Sequence, residues 1–218
     1  MTDQAGAGHR IHLASRNAKK LHELARILTP LVPGVRIVGL DDVTHYEEPV
    51  EDASTFVGNA LIKARAGFAA TGLPTVADDS GLCVDALNGM PGVLSARWSG
   101  PPKSDDRNNR LLLAQLADVP DERRGAHFAC AIAFVHADGP AGELVVEGRM
   151  DGAVIGETRG SGGFGYDVLF VPEETPGRTA AELSVAEKDA ISHRGRALRE
   201  IAPRIAAILS GPTSGSRS

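Results

Sequence analysis

Thr75-Val76-Ala77-Asp78-Asp79-Ser80-Gly81 runs from β-branched and small apolar residues straight into two carboxylates. The first three residues read as a buried strand. Carboxylates where such a strand meets a crevice are expensive to desolvate unless they hold a cation or a proton in transit, which points to a metal-assisted site. Successive strand residues face opposite sides of a sheet, so only one of the two enters a given site; Asp79 is favoured, with Asp78 in support. The same letters also spell a polar turn, since Asp, Ser and Gly are turn residues. Read that way, Ser80-Gly81 turns the chain and residues 82–86 form a further strand.

Around this stretch the chain alternates in the α/β manner. Residues 10–14 read as a strand, and residues 18–28 carry helical periodicity with Leu21, Leu24, Ala25 and Leu28 on one face. Residues 36–40 form a second strand, and 55–71 a long helix that leads into Thr75. Farther on, 105–116 is helical, and 126–136 and 143–155 are long antiparallel strands joined by the turn Asp138-Gly139-Pro140. Residues 168–171 form a short strand, and the C-terminal part is helical. No repeat is visible, and no linker separates independent units. The expected fold is one α/β domain over 10–210 with two lobes sharing a groove, between a flexible N-terminus (1–9) and a disordered polar tail (211–218).

At 218 residues the chain is long enough for such a domain, and 42% hydrophobic with 23% charged residues is ordinary for a soluble globular protein. No apolar run approaches the roughly 18 residues of a membrane span, and the start lacks the basic-then-apolar pattern of a signal peptide, so a cytoplasmic protein is expected. The net charge of −5 argues against general adhesion to nucleic-acid polymers, whose binding rests on phosphate neutralisation. Any polyanionic ligand must meet a local cationic cluster. Cys83 and Cys130 are far apart, with no Cys or His at metal-ligand spacing, which argues against a disulfide framework or a zinc site and leaves both as small core residues.

One cationic cluster is Ser15-Arg16-Asn17-Ala18-Lys19-Lys20, where strand hands over to helix. It offers a hydroxyl, an amide, three cations and the free N–H groups of a helix N-terminus, which together suit a phosphate chain. Asn17 is also a natural N-cap, and Lys19 and Lys20 read equally as solvated surface residues. The Gly-x-x-x-x-Gly-Lys-Ser/Thr pattern is absent, so this is no P-loop. On the helix over 55–71 the apolar stripe is Phe56, Ala60, Leu61, Ala64 and Phe68, with Asn59 and Lys63 one turn apart at its edge. Lys63 either snorkels or faces the same phosphates as the carboxylate that follows. Glu47, Glu48, Glu51 and Asp52 crowd a loop that either supplies a second metal ligand or is simply solvated.

Gly160-Ser161-Gly162-Gly163-Phe164-Gly165 matches Gly-x-Gly-x-x-Gly by letter. It follows polar residues and precedes the strand-like 166–171, the wrong setting for a dinucleotide fingerprint. Its glycines instead let the backbone approach a flat ligand, with Phe164 placed to stack on a base and Asp167 to accept from a base or sugar donor. A second cationic cluster is Lys188 with Ser192-His193-Arg194-Gly195-Arg196. If Ser192 caps the last helix, His193 and Arg194 oppose the helix dipole, a locally unfavourable placement that hints at function. The Arg194 fork suits O6 and N7 of a 6-oxopurine and cannot satisfy a 6-amino donor.

Several of these motifs recur in one order: Ser15-x-Asn17-x-x-Lys20; Thr55-Phe56 with Asn59-Ala60 and Lys63-Ala64; and Ala77-Asp78-Asp79-Ser80-Gly81-Leu82. Val84-Asp85-Ala86-Leu87, Pro91-Gly92 with Ser95-Ala96-Arg97, Gly162-Gly163-Phe164-Gly165-Tyr166-Asp167 and Ile191-Ser192-His193-Arg194-Gly195 continue it. The set resembles the inosine/xanthosine triphosphate pyrophosphatase family over nearly the whole chain. The resemblance implies an elongated, two-lobed mixed-sheet α/β fold with an active-site groove between the lobes, a homodimer, and Mg²⁺-dependent cleavage of ITP, dITP and XTP to monophosphate and pyrophosphate. It implies Asp79 as proton acceptor and magnesium ligand, with Glu51 as the second ligand. Ser15, Asn17, Lys20, Lys63 and Ser80 fall on the phosphate contacts, with Arg16, Ala18 and Lys19 in the same substrate-binding loop. Phe164, Gly165, Tyr166, Asp167, Lys188, His193 and Arg194 fall on the nucleoside pocket.

Two departures accompany the resemblance. Many relatives carry Glu where this chain has Gly58, and Thr-Gly-Asn where it reads Ser15-Arg16-Asn17. A glutamate that organises metal or water would be missing here, and a binding protein without turnover, or a pyrophosphatase for other modified nucleotides, is the alternative reading.

Overall fold

A computed structural model describes residues 9–137 and 139–211; Asp138 of the expected hairpin turn and, apart from His9 and Gly211, the two ends expected to be flexible lie outside the described residues. The first half runs β1 (Arg10–Leu13), α1 (Ala18–Leu28), β2 (Arg36–Val38), α2 (Phe56–Thr71), β3 (Thr75–Val84). α1 starts at Asn17, whose side chain accepts from the N–H of Lys19 and Lys20, and α2 starts at Thr55, whose hydroxyl accepts from Gly58 N–H. Then come α3 (Asp105–Gln115), β4 (Gly125–Val135), β5 (Glu143–Val154), β6 (Phe170–Pro172), α4 (Val185–Ile191) and α5 (His193–Leu209). The strands form one sheet in the order β2-β1-β3-β4-β5-β6, parallel among the first three and antiparallel from β3 onward. The mixed α/β sheet expected from the sequence is present.

Strand alternation sorts the long strands into two faces. On one face Ile11, Val76, Ile132 and Phe134 pack under α1 and α5 through Leu24, Leu28, Ile201 and Ile205. Farther along that face Leu82, Phe128 and Met150 join Leu112, Tyr166 and Phe170 in a second packing centre. The opposite face is paved with Ala77, Ala131 and Ala133, small enough for α2 to lie close through Ala60 and Ala64.

Two expectations are corrected. Ser80-Gly81 does not turn the chain: β3 continues to Val84 because β4 pairs with all ten of its residues, from Thr75 opposite Val135 to Val84 opposite Ala126. An unbroken ladder outweighs local turn chemistry. Gly81 is needed instead for close approach, since a Cβ there would lie 2.4 Å from both the Gly92 carbonyl and the Ser95 hydroxyl. Residues 165–168 form a 3-10 turn rather than a strand, and β6 starts only at Phe170. The C-terminal part is helical as expected, in two helices, because Ser192 takes an extended conformation (ψ 147°) between them.

Candidate active site

Between the two packing centres a cavity of about 610 Å³ opens over the middle of β3 and β4, walled by α1, the glycine loop, α4 and the start of α5. Gly148 on β5 lets the α5 N-terminus settle on the sheet: a Cβ there would lie 2.0 Å from the His193 carbonyl. Ser192 caps α5 as expected, its hydroxyl accepting from Gly195 N–H. His193 then stacks on Phe128 with ring centroids 5.0 Å apart and planes 10° from parallel. Burial, with Arg194 and Lys188 beside it, pushes the His193 imidazole well below its ordinary pKa, so it is neutral. The unfavourable dipole placement read from sequence is thus relieved: one of the two residues is uncharged, and the other is paired.

Arg194 pairs with Asp78. Its Nε and Nη2 donate to Asp78 Oδ2 at 3.2 and 3.0 Å, and Nη2 also donates to Ser80 Oγ at 3.2 Å. Lys20 reaches across from α1 and donates to both Asp78 oxygens at 2.8 and 2.9 Å. Burial alone would raise the Asp78 pKa, yet Lys20 and Arg194 hold it well below the ordinary carboxylate range. Arg194 thus lines the cavity with two of its three guanidinium nitrogens engaged inside the protein, while Nη1 has no hydrogen bond among the described residues. Asp78, read as support, is the hub that fixes two cavity cations.

The glycine loop forms the other wall. Phe164 is 53% exposed at the cavity mouth, with the Lys188 ammonium 5.2 Å from its ring centroid. Asp167 lines the same cavity; it is buried, accepts from Phe164 N–H at 2.8 Å and pairs with Lys188. Its position is why Gly163 must be glycine, at φ 74° with an added Cβ 2.1 Å from Asp167 Oδ2. The Tyr166 hydroxyl donates to the Ser95 carbonyl. Gly165 is gripped by α3 at both backbone groups, its N–H donating to Asp105 and its carbonyl accepting from Asn109. Sequence reasoning missed that pair, although an i, i+4 spacing on a polar helix face was the available signal.

Asp79 points to the opposite face. Asn59 Nδ2 donates to its Oδ2 at 3.0 Å, and the Lys63 ammonium lies 3.7 Å from Oδ1 and 3.0 Å from Glu51 Oε2. Burial pushes the Asp79 carboxyl up, with Lys63 and Asn59 pulling it down and the neighbouring Glu51 and Asp78 charges adding to the rise. Lys63 therefore sits with the carboxylates and does not snorkel. Asn59 also accepts Ala53 N–H through Oδ1, so one amide fixes both Asp79 and the acidic loop. Gly58 has a local cause as well: a Cβ there would lie 2.6 Å from that of Ala53.

The two faces communicate over an edge. β1 ends at Leu13, and its last register partner on β3 is Val76, so the β3 backbone at Asp78 and Asp79 has no strand on that side. The Ser15 to Lys20 loop runs past this bare edge. Ser15 Oγ accepts Asn17 N–H, Lys19 is exposed, and Arg16 turns away from the edge to pair with Asp41 and Glu48. Ala18 opens α1 beside these groups. Cys130 is buried, its thiol pushed up to about 12 chiefly by burial, whereas Cys83 is only half-buried.

His193 gives this site a measurable pH signature. Its folded pKa lies below the unfolded value of 6.5, so as pH falls through 6.5 the unfolded chain takes a proton that the folded chain refuses, and stability declines. The contribution is fully present above pH 6.5 and is lost at up to about 1.4 kcal/mol per pH unit below it. Denaturant titrations of His193→Gln and the parent between pH 7.5 and 5 should diverge, with the flatter slope in the variant; parallel slopes would refute the assignment.

A flat ligand carrying several negative charges would meet rings in the cavity and cations at the strand edge. The cavity and the bare edge lie beyond the carboxyl end of parallel β1, the place where open α/β sheets generally bind ligands. The chain belongs to the Ham1 family, whose model matches residues 11–204. A curated relative from Nocardia farcinica, named dITP/XTP pyrophosphatase, is 62% identical over 200 residues, covering 91% of this chain and 96% of its own. A relative of the same name from Mycolicibacterium paratuberculosis is 60% identical, covering 88% and 94%. Among solved structures, the nucleoside-triphosphatase/dITP/XTP pyrophosphatase of Mycobacterium abscessus is similar with a TM-score of 0.74 at 58% identity, covering 89% of this chain and 99% of that one. A HAM1 protein from Coxiella burnetii gives 0.80 at 40% identity, covering 90% and 98%.

Proposed function

We propose that this protein is a nucleoside-triphosphate pyrophosphohydrolase that clears deaminated purine nucleotides, ITP, dITP and XTP, by hydrolysis to the monophosphate and pyrophosphate. The observation that carries the reading is the split of Asp78 and Asp79 across β3. Asp78 anchors the cations of a base-sized cavity, while Asp79 stands among Glu51, Lys63 and Asn59 at the other side of a bare strand edge. A triphosphate lying over that edge would join the two. The family match and the names of its relatives support the same activity.

Magnesium belongs to this proposal. The Lys63 ammonium lies between Glu51 and Asp79, so their oxygens converge on a point where a cation is held. Two carboxylates with phosphate oxygens are the donor set Mg²⁺ takes, and among the described residues no cluster of three or more His, Cys, Asp or Glu offers a fuller cage. Bound there, Mg²⁺ would offset charge on the phosphates and the leaving pyrophosphate. Asp79, held through Oδ2 by Asn59, presents Oδ1 to take the proton of the attacking water, and its raised pKa suits a base. As water adds at the α-phosphorus and the α–β bridge breaks, Lys63 can turn from Glu51 to the phosphates. At the other end Phe164 stacks on the base, and the donors Lys188 and Arg194 Nη1 complement a 6-oxo group while leaving a 6-amino group unpaired. A cytoplasmic homodimer belongs to the same proposal; among the described residues no helix is long and apolar enough to cross a membrane.

The test is pyrophosphate release from dITP, XTP, dATP and dGTP with and without Mg²⁺. Release from dITP and XTP alone, only with Mg²⁺, is expected. Tight dITP binding without turnover would favour the binding-protein alternative, and orthophosphate as product would overturn the cleavage position.

A further inference from the structure

Between the 3-10 turn Leu40–Asp42 and α2 the chain runs through residues 43–55 without helix or strand. This irregular segment carries Glu51, so something other than a ladder must fix it. Besides the Lys63–Glu51 pair, several side-chain ties hold it. Asn59 accepts Ala53 N–H, Arg97 donates to the Glu51 carbonyl at 3.1 Å, Arg16 pairs with Glu48, and Tyr46 meets His12. The Arg16–Glu48 pair is half exposed on both sides and contributes little on its own. The Tyr46 tie, like that of Asn59, has a fully buried partner.

His12 lies in β1 with no exposed surface, between β2 and β3. Its Nδ1 is 3.2 Å from the Val38 carbonyl, which only accepts, so Nδ1 carries the proton. Burial lowers its pKa and keeps the ring neutral, leaving Nε2 bare to accept the Tyr46 O–H at 2.9 Å, with the rings edge to face at 5.9 Å. The slot for this contact is cut by Gly67 on α2. A Cβ at Gly67 would lie 2.8 Å from Thr75 Cγ2, 2.9 Å from His12 Cδ2 and 3.1 Å from the Tyr46 hydroxyl. A glycine inside a helix is unfavourable by roughly 1 kcal/mol against alanine, and this slot is the observed reason for it. Tyr46, Glu51 and Lys63 line one small pocket on the Asp79 face.

We propose that Tyr46, seated on His12 in the slot opened by Gly67, is a positioning residue that sets Glu51 opposite Asp79 and thereby tunes the affinity of the site for a divalent cation. The inference rests on the Mg²⁺ site proposed above. Tyr46 touches neither substrate nor metal in this assignment; it acts through the four residues, Glu47 to Val50, that lead to Glu51.

The test uses the full-length protein, its Tyr46→Phe variant, which keeps the ring and loses the hydroxyl, and a Gly67→Ala variant, which closes the slot from the helix side. Mn²⁺ binding to the nucleotide-free proteins is read by electron paramagnetic resonance, and amide hydrogen exchange is followed over residues 47–52. Both variants should bind Mn²⁺ about 3- to 10-fold more weakly and exchange faster over the loop, with the half-saturating Mg²⁺ for dITP turnover raised in step and the change in kcat at saturating Mg²⁺ smaller. Faster exchange with unchanged Mn²⁺ affinity would reduce Tyr46 to a structural tie and overturn the proposal, as would no change in either readout. If the parent protein binds no Mn²⁺ at all while the variants still loosen the loop, the metal reading itself fails, and the positioning role falls with it.

Discussion

Replacement of Asp79 by Asn is expected to lower kcat for dITP by about 10³-fold while dITP binding persists. The side chain is nearly isosteric, and Asn59 can still hold one of its atoms, so the fold should survive. What is lost is the basic oxygen. Asp79 is half-buried beside Lys63, with its carboxyl pushed up by desolvation, and among the described residues the carboxylate that shares the Lys63 ammonium with it is Glu51, on its far side. General-base removal alone accounts for the size of the effect, and loss of a ligand charge at the proposed Mg²⁺ site adds to it. Steady-state pyrophosphate release measures kcat, and calorimetric titration with dITP in Ca²⁺ measures binding. A variant within tenfold of the parent would remove Asp79 from the role of base; loss of binding with kcat intact at saturation would make it a binding residue only.

Asp78→Asn should act chiefly on the fold, destabilising it by about 3–5 kcal/mol. Asp78 is 7% exposed and is the shared partner of Lys20 and Arg194, so a neutral amide strands two cations in the protein interior. Roughly 10 °C of thermal midpoint would go with it for a chain of this size. A double variant, Asp78→Asn with Lys20→Met, should recover part of the loss, because one of the two stranded charges is removed and its stem still packs. Denaturant unfolding of the four corners of that cycle gives the coupling directly. A single variant within 1 kcal/mol of the parent would show that water reaches the cluster and that Asp78 is no hub.

Much of this architecture can be read from the chain. Helices α1 and α2 stand where periodicity and the caps Asn17 and Thr55 place them, because both signals are local. Asp79, Lys63 and Glu51 meet as their motif positions imply. At Ser80-Gly81 the turn letters inside β3 are overridden by a partner strand some fifty positions away. Gly81, Gly148 and Gly67 carried no legible meaning: each answers to a neighbour remote in sequence, namely the residue 92–97 segment, the start of α5, and the His12–Tyr46 contact. The split of the C-terminal helix at Ser192 was half legible, as the cap was read but the helix before it was not separated.

By itself the sequence determined the α/β alternation, the ordered motifs that identify the family, and the residue types a phosphate and a purine require. Strand parity even required Asp78 and Asp79 to part. Only the tertiary structure decided which cation each carboxylate takes. Lys20 comes to Asp78 from 58 positions away and Arg194 from 116, and a buried carboxylate accepts whichever cations the packing of α1 and α5 brings within 3 Å. Ion pairs are settled by distance and burial, and neither is a property of residue order.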